Sequence, residues 1–373
     1  MNLRIILSLR ILVSTKISFN QLKKKKILFF DKNHSKILID KFKLKSFEIL
    51  PTRFEEFNFW ILLRMIVKLK FNYEEYFRIY ISKVSPRIVI TLVDNVINFY
   101  KLKKEFPNII FISIQNGLRK AGYNDIFKNE IFLNSKNLSC DYFFVFNKYI
   151  ANKYSKYIDS NYILLGAFKN NFIPYRPKQT KNNFLFISQY RKNNSLEKVN
   201  YERKILQLLK KYFENNKYKL NILLSSKSKE IQKYEISFYK NHFGSNCNFL
   251  KTKFWWDPYI VIDNYENIIF IDSTLGYEAI SRKKKVAIFS LRKSHKLKEY
   301  FGWPSNIKNK AISFFCAQKL EYKEIKRVLT NIESCSNEKW RNNFWPIIKD
   351  QLIYDNNNQI LKNTIYKYLK NNQ

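Results

Sequence analysis

Short apolar runs that lack polar alternation recur along this chain, and each gives way to a polar turn and then to a stretch with helical spacing. A strand covered on one face alternates apolar with polar residues, whereas a strand covered on both faces reads as continuously apolar. The first half offers ILFF (27–30), FEIL (47–50), RIVITLV (87–93), IIFISI (109–114), YFFVF (142–146) and YILLG (162–166), with helical patterns at 58–70, 73–83, 95–105 and 147–157. Strands alternating with helices in this way predict parallel sheets clothed by helices, the α/β class.

The polar, proline-broken segment NNFIPYRPKQTKNN (170–183) interrupts the rhythm and reads as a linker. Beyond it the pattern restarts: FLFIS (184–188), a helix near 200–214, LNILLSS (220–226), a helix near 228–241, NFLK (248–251), IIFID (268–272), a helix from 275, and KVAIFS (285–290). Residues 321–371 read as two or three helices with Pro346 among them. A chain of 373 residues is long for one compact core. The expectation is two Rossmann-like doubly wound domains facing across a cleft, with C-terminal helices: a first domain over 1–169, a linker over 170–183, a second domain over 184–335 and a helical segment over 336–373.

Charge narrows the partners. Sixty-eight Lys and Arg against 30 Asp and Glu leave a formal net charge of +38, so the surface attracts anions: nucleic acid, an anionic membrane or a phosphorylated ligand. Much of the excess accompanies a general enrichment in Lys, Asn, Ile, Phe and Tyr with few Gly, the bias of an AT-rich genome. The aromatic residues fall within the strand and helix patterns and the lysines are scattered, which favours burial over base stacking and argues against nucleic acid. Cys140, Cys247, Cys316 and Cys335 lie far apart with no C-x-x-C pair, so reduced thiols are expected and neither a structural zinc site nor a disulfide framework. The start, MNLRIILSLRILVSTKISF, is broken by Arg4 and Arg10 and has no small-residue cleavage site, which predicts an amphipathic or docking segment. FWILLRMIVKLKF (59–71) holds Arg64, Lys68 and Lys70 and falls short of the ~20 apolar residues of a membrane span.

In open parallel sheets ligands bind beyond the carboxyl ends of the strands. After IIFID come Ser273, Thr274, Leu275 and Gly276, then a helix bearing Glu278. Small hydroxyl residues at a helix start leave backbone N–H groups for an anion that the helix dipole also favours. Glu278, one turn in, points back towards the same place, where a carboxylate accepts hydrogen bonds from a ribose diol. The same pattern also serves as an ordinary cap. FLFIS ends in Ser188 and runs into Gln189, Tyr190, Arg191 and Lys192, a basic pair suited to a diphosphate and equally a basic loop of a Lys-rich chain. LNILL ends in Ser225, Ser226 and Lys227. In the first half, ITLV ends in Asp94 and Asn95, FISI in Gln115, Asn116 and Gly117 with Arg119 shortly after, and ILFF in Asp31, Lys32, Asn33, His34 and Ser35. Asp94, Asp31 and His34 are candidate bases for deprotonating a hydroxyl acceptor; Asp94 and Asn95 also suit a helix cap. FWWDPY (254–259) suits an aromatic platform or, better, a buried anchor.

Missing motifs discriminate as well. There is no G-x-G-x-x-G, G-K-[ST], H-E-x-x-H or G-x-S-x-G, which counts against dinucleotide oxidoreductases, P-loop NTPases, zincins and serine hydrolases. No D-x-D diphosphate-metal motif occurs either.

The segments ITLVDN, FISIQNG with Leu118 and Arg119, FLFISQYR, and IDSTLGYEA followed by KKKVAIFS resemble the bacterial surface-carbohydrate biosynthesis proteins, over residues 27 to 350. That family is itself similar to capsule and glycerophosphate transferases and to the two-domain glycosyltransferase fold called GT-B. The resemblance implies a nucleotide-sugar donor held by Ser273, Thr274 and Glu278, with Ser188 and Arg191 on the facing loop, and an acceptor side formed by Asn95, Gln115, Asn116, Gly117 and Arg119. It implies a transferase of surface polysaccharide biosynthesis with no cofactor and no metal, acting on a glycan or lipid-linked glycan in the cytoplasm, at the inner face of the membrane, where a basic surface meets anionic lipid. Asn116 stands where related transferases often have His, which shifts the base to Asp94, Asp31 or His34. Sugar-nucleotide 2-epimerases share the donor segment but carry Gly-Gly after the Ser, where this chain has Thr274 and Leu275. Epimerase, polyol-phosphate transferase and nucleic-acid-binding protein stand as the alternatives.

Overall fold

The computed structural model describes residues 16–370 apart from 54, 119, 123–134, 136, 176–180, 193–195, 292–298 and 302–308. Six of the apolar runs form the first parallel sheet: β1 (Ile27–Phe30), β2 (Phe47–Leu50), β3 (Ile88–Thr91), β4 (Ile110–Ile114), β5 (Leu138–Val145) and β6 (Ile158–Leu164), in the order β2-β1-β3-β4-β5-β6. Side chains on successive residues pass to opposite faces, and both faces are buried. Leu28, Phe30, Val89 and Phe111 enter one core; Ile27, Phe29, Ile88, Ile90 and Ile112 enter the other. This two-sided burial is the reason the runs show no alternation.

Helices α1 (Ser35–Phe42), α2 (Phe59–Val67), α3 (Tyr73–Val84), α4 (Ile97–Leu102) and α5 (Lys148–Tyr154) connect these strands, and α6 (Phe168–Asn171) leads out of the domain. Asn58, Asn72 and Asn147 cap α2, α3 and α5 by accepting from the backbone N–H three residues on. The segment expected as the linker is shorter than its polar composition suggests. Its first two residues belong to α6, and the next strand starts at Lys181.

The second parallel sheet comprises β7 (Lys181–Ile187), β8 (Leu220–Leu223), β9 (Cys247–Leu250), β10 (Tyr265–Phe270) and β11 (Lys285–Ile288), ordered β9-β8-β7-β10-β11. Around it lie α7 (Leu196–Asn215), α8 (Lys229–Phe243), α9 (Asp257–Asp263), α10 (Thr274–Ser281) and α11 (Tyr322–Ser334). Both sheets are thus Rossmann-like, and the architecture is the two-domain α/β one. All four cysteines are buried thiols.

The C-terminal segment divides between the two domains. Trp340, Phe344 and Ile348 complete the core of the second, whereas Leu361 and Ile365 of α12 (Gln359–Lys370) pack into the first beside Ile27 and Phe29. Tyr354 bridges to Gly166, and the Tyr142 and Tyr368 hydroxyls lie 2.6 Å apart. No helix among the described residues is long and apolar enough to cross a membrane.

Candidate active site in the interdomain cleft

The helix that follows β10 carries the site. Ser273 is the N-cap of α10 with extended backbone (φ −73°, ψ 130°), and its carbonyl accepts from the N–H groups of Gly276 and Tyr277. Its hydroxyl makes no capping bond, so the outward N–H groups of the first turn are left for another acceptor. Close packing sets the helix down at this spot: a Cβ on Gly276 would lie 2.2 Å from Phe270 Cγ. The facing loop of the first domain reaches the same point, since a Cβ on Gly117 would lie 3.8 Å from Thr274 Oγ1. Neighbouring strand ends are tied to this loop. Gln189 Oε1 accepts from the Asp272 N–H at 3.0 Å, and the Ser290 hydroxyl donates to Asp272.

Glu278 is buried behind that helix end. Burial raises its pKa, opposed by the charge of Lys169, a hydrogen bond from the Tyr259 hydroxyl and the charge of Arg282. Lys169 belongs to the first domain and Glu278 to the second, so these charges meet across the cleft. His34 completes the group. Its pKa is pushed down to about 4, first by burial and then by the cations of Lys169, Arg53 and Lys227, with Asp31 opposing. Lys227 is itself lowered by burial and by Lys169, with Asp257 opposing. Four segments from two domains thus bring the charges of Lys169, Lys227 and the Asp31-paired Arg53 to bear on one neutral imidazole. An anion placed there relieves the mutual repulsion.

Several expected site residues serve the scaffold. Asp94 is wholly buried, and its carboxylate accepts from the Tyr154 hydroxyl at 2.6 Å and the Asn116 N–H at 3.3 Å. It ties the loops after β3 and β4 together, and Val96 is the N-cap of α4, so neither Asp94 nor Asn95 holds that position. Asp31 is likewise engaged. It accepts from the Asn33 N–H, the Thr52 hydroxyl and Arg53, and takes a left-handed φ of 103°. Gln115 braces the interior through the Phe146 N–H and the Gly117 carbonyl. The Ser188 hydroxyl points inward, to Glu235 and Tyr239. Asp31 stands beside Arg53 as His34 does, but its carboxylate is taken up by the Asn33 N–H, the Thr52 hydroxyl and the Arg53 guanidinium.

Asn116 and Gly117 are half-buried at the cleft, while Asn95 and Arg191 are exposed. Arg119 lies outside the described residues. FWWDPY is mixed: Tyr259 is buried, but Phe254 is 54% exposed and stacks on Trp256 with ring centroids 4.7 Å apart. Among the described residues, no group of three His, Cys, Asp or Glu side chains is placed to hold a metal ion.

Sequence reading missed Lys169 and Glu235. Lys169 follows the YILLG run, so the rule applied at the other strand ends would have found it. Glu235 lies within α8, is fully buried, and accepts from the N–H groups of Ser225 and Ser226, which shapes the loop bearing Lys227.

Similar solved structures support the fold. The UDP-GlcNAc 2-epimerase of Methanocaldococcus jannaschii, in complex with UDP-GlcNAc and UDP, matches with a TM-score of 0.55 at 11% identity, covering 91% of this chain and 99% of that one. The UDP-GlcNAc 2-epimerase of Neisseria meningitidis bound to UDP-GlcNAc matches with a TM-score of 0.54 at 13% identity, covering 95% and 100%. A variant of the wall teichoic acid polymerase TagF matches at 0.51 and 14% identity, covering 94% and 90%. No curated protein matches the sequence. A family model described as "putative O-antigen biosynthesis protein" matches residues 112–372, more than half of the chain, and the chain therefore belongs to that family of O-antigen biosynthesis proteins.

Proposed function

We propose that the protein binds a nucleotide-diphosphate sugar in the cleft and transfers the sugar to a surface-glycan acceptor, without a metal ion or other cofactor. One observation carries this reading: Lys169 and Lys227, from different domains, converge on a region bordered by His34 and by Glu278, behind the bare start of α10. The helix N–H groups and the two ammonium groups are suited to the charge that develops on a departing diphosphate. Glu278 would receive the ribose hydroxyls. His34, neutral at pH 7, would take the proton of the acceptor hydroxyl. Two neighbours are named for UDP-GlcNAc, which makes a UDP-linked sugar the first donor to test. The acceptor would be a lipid-linked glycan at the inner face of the cytoplasmic membrane.

The near-complete coverage of two 2-epimerases supports a second reading, epimerisation of the same donor. Incubation with UDP-GlcNAc, with and without a lipid-linked acceptor, separates the two: acceptor-dependent free UDP signals transfer, and an isomeric nucleotide sugar signals epimerisation. For the donor site, titration calorimetry compares wild type with Glu278→Gln and Lys227→Ala. Affinity unchanged in both variants would overturn the assignment.

A further inference from the structure

Helix α2 is apolar on more than one side. Ile61 and Met65 pack into the first-domain core, but Leu63, Ile66 and Val67 face solvent at 42%, 54% and 79% exposure. The apolar surface continues past the helix, with Leu69 80% and Phe71 68% exposed. The helix closes with a Schellman motif: the Lys70 N–H donates to the Met65 carbonyl and the Leu69 N–H to that of Ile66. This geometry puts Leu69 in the left-handed region (φ 52°), where glycine is the usual occupant. A strained leucine at an exposed tip adds nothing to the core. Exposed cations surround it: Arg64, Lys70 and Lys68, the last paired with the buried Glu75 at 3.0 Å.

We propose that this tip, from Leu63 to Phe71, inserts into the surface of an anionic lipid bilayer. Apolar groups that enter the acyl boundary, with cations left at headgroup level, are the pattern of an interfacial anchor. Charge decides against a second copy of the chain, because a symmetric contact would oppose Arg64, Lys68 and Lys70 to their equivalents in a protein of formal charge +38. The placement is apt. Helix α3 runs from Tyr73 to the start of β3, so the turn before it stands at the carboxyl edge of the sheet, the edge that carries Asp31 and His34. Arg53, which pairs with Asp31, precedes α2 by a few residues. The anchor thus deepens the acceptor side of the transferase reading by presenting that edge to the membrane.

The test is flotation of the full-length protein with vesicles of phosphatidylglycerol and phosphatidylethanolamine, against vesicles of phosphatidylcholine. Wild type should partition to the anionic vesicles, less so at raised salt. Val67→Ser/Leu69→Gly/Phe71→Ser should partition at least about tenfold less, and Arg64→Gln/Lys70→Gln should lose the preference for anionic lipid. Leu69→Gly by itself relieves the backbone strain, so its melting temperature should not fall, which separates lost anchoring from lost folding. Absence of wild-type partitioning, or equal partitioning of the triple variant, would overturn the proposal. So would a wild-type dimer that the triple variant converts to monomer, since the occupant is then a second copy. UDP binding, measured on the same variants, should be unchanged, so failure of the anchor and failure of the donor site remain distinguishable.

Discussion

Burial, and then the charge of Lys169 in the first domain, lower the pKa of the Lys227 ammonium in the second. Like charges held together across a cleft are unfavourable without a ligand and favourable with an anionic one. Lys169→Ala should therefore weaken UDP binding by about ten- to a hundredfold, the range of a lost charge-assisted hydrogen bond. The unliganded melting temperature should move little, because the repulsion lost with Lys227 and His34 is offset by the attraction lost with the buried Glu278. Calorimetry and a thermal melt check the two expectations. A variant that binds UDP like wild type would exclude Lys169 from the site.

His34 gives the cleft a pH signature. Its folded pKa of about 4 lies below the usual value near 6.5, so the unfolded chain binds a proton that the unliganded fold refuses. Stability should therefore fall as pH drops from about 6.5 to 4, by at most about 1.4 kcal/mol per pH unit, with no contribution from this group above that window. A diphosphate would offset Lys169, Arg53 and Lys227, raise the imidazole pKa and draw in a proton. UDP binding near pH 5 should take up protons, read as a buffer-dependent enthalpy in calorimetry, and His34→Gln should abolish the uptake.

The sheets were legible because two-sided burial leaves an unmistakable trace. Ile27 to Phe30 supply alternate residues to two cores, so no position in the run tolerates a polar side chain. The α10 start was legible for a related reason, since Ser273, Thr274 and Gly276 at a strand end state both a turn and a close helix approach. Roles inside the site were less so. Asp94 and His34 look equally suitable at a strand end, and what separates them is the Tyr154 hydroxyl 60 positions away in the chain, which engages the carboxylate. Charge convergence is a tertiary property of this kind. Lys169 in α6 and Arg53 and Lys227 in two separate loops acquire meaning together when the domains face each other.

Arg282 is the buried fastener between those domains. It is fully enclosed, pairs with Asp263 and donates to the Asn170 side chain at 3.0 Å and the Ile173 carbonyl at 3.1 Å, both in the segment leaving the first domain. Arg282→Met takes the ion-pair partner from the buried Asp263, leaving it the charge of Lys284, whose Nζ donates to its backbone carbonyl at 2.8 Å, and should cost about 3–5 kcal/mol. Pairing it with Asp263→Leu should restore much of that loss, because two matched apolar groups bury without the ionic penalty. Denaturant melts of the single and double variants decide it, and a double variant no better than Arg282→Met would show that the Asn170 and linker contacts matter more than the ion pair.

Gly166 fixes the return of the C-terminal segment to the first domain. It has φ 76°, and a Cβ there would lie 1.8 Å from the Ile353 carbonyl oxygen, beside the bridge to Tyr354. Alanine would add both left-handed strain of about 1–2 kcal/mol and a backbone collision. Gly244, with φ 58° and nothing within 4 Å of its Cβ position, supplies the control in which strain acts without collision. Gly166→Ala should therefore destabilise more than Gly244→Ala, and the excess should be local: faster amide exchange over 352–370, where Leu361 and Ile365 leave their seats against Ile27 and Phe29. Equal loss in the two variants, or protection of α12 unchanged in Gly166→Ala, would mean that the segment is held by α12 packing and not by the Gly166 crossing.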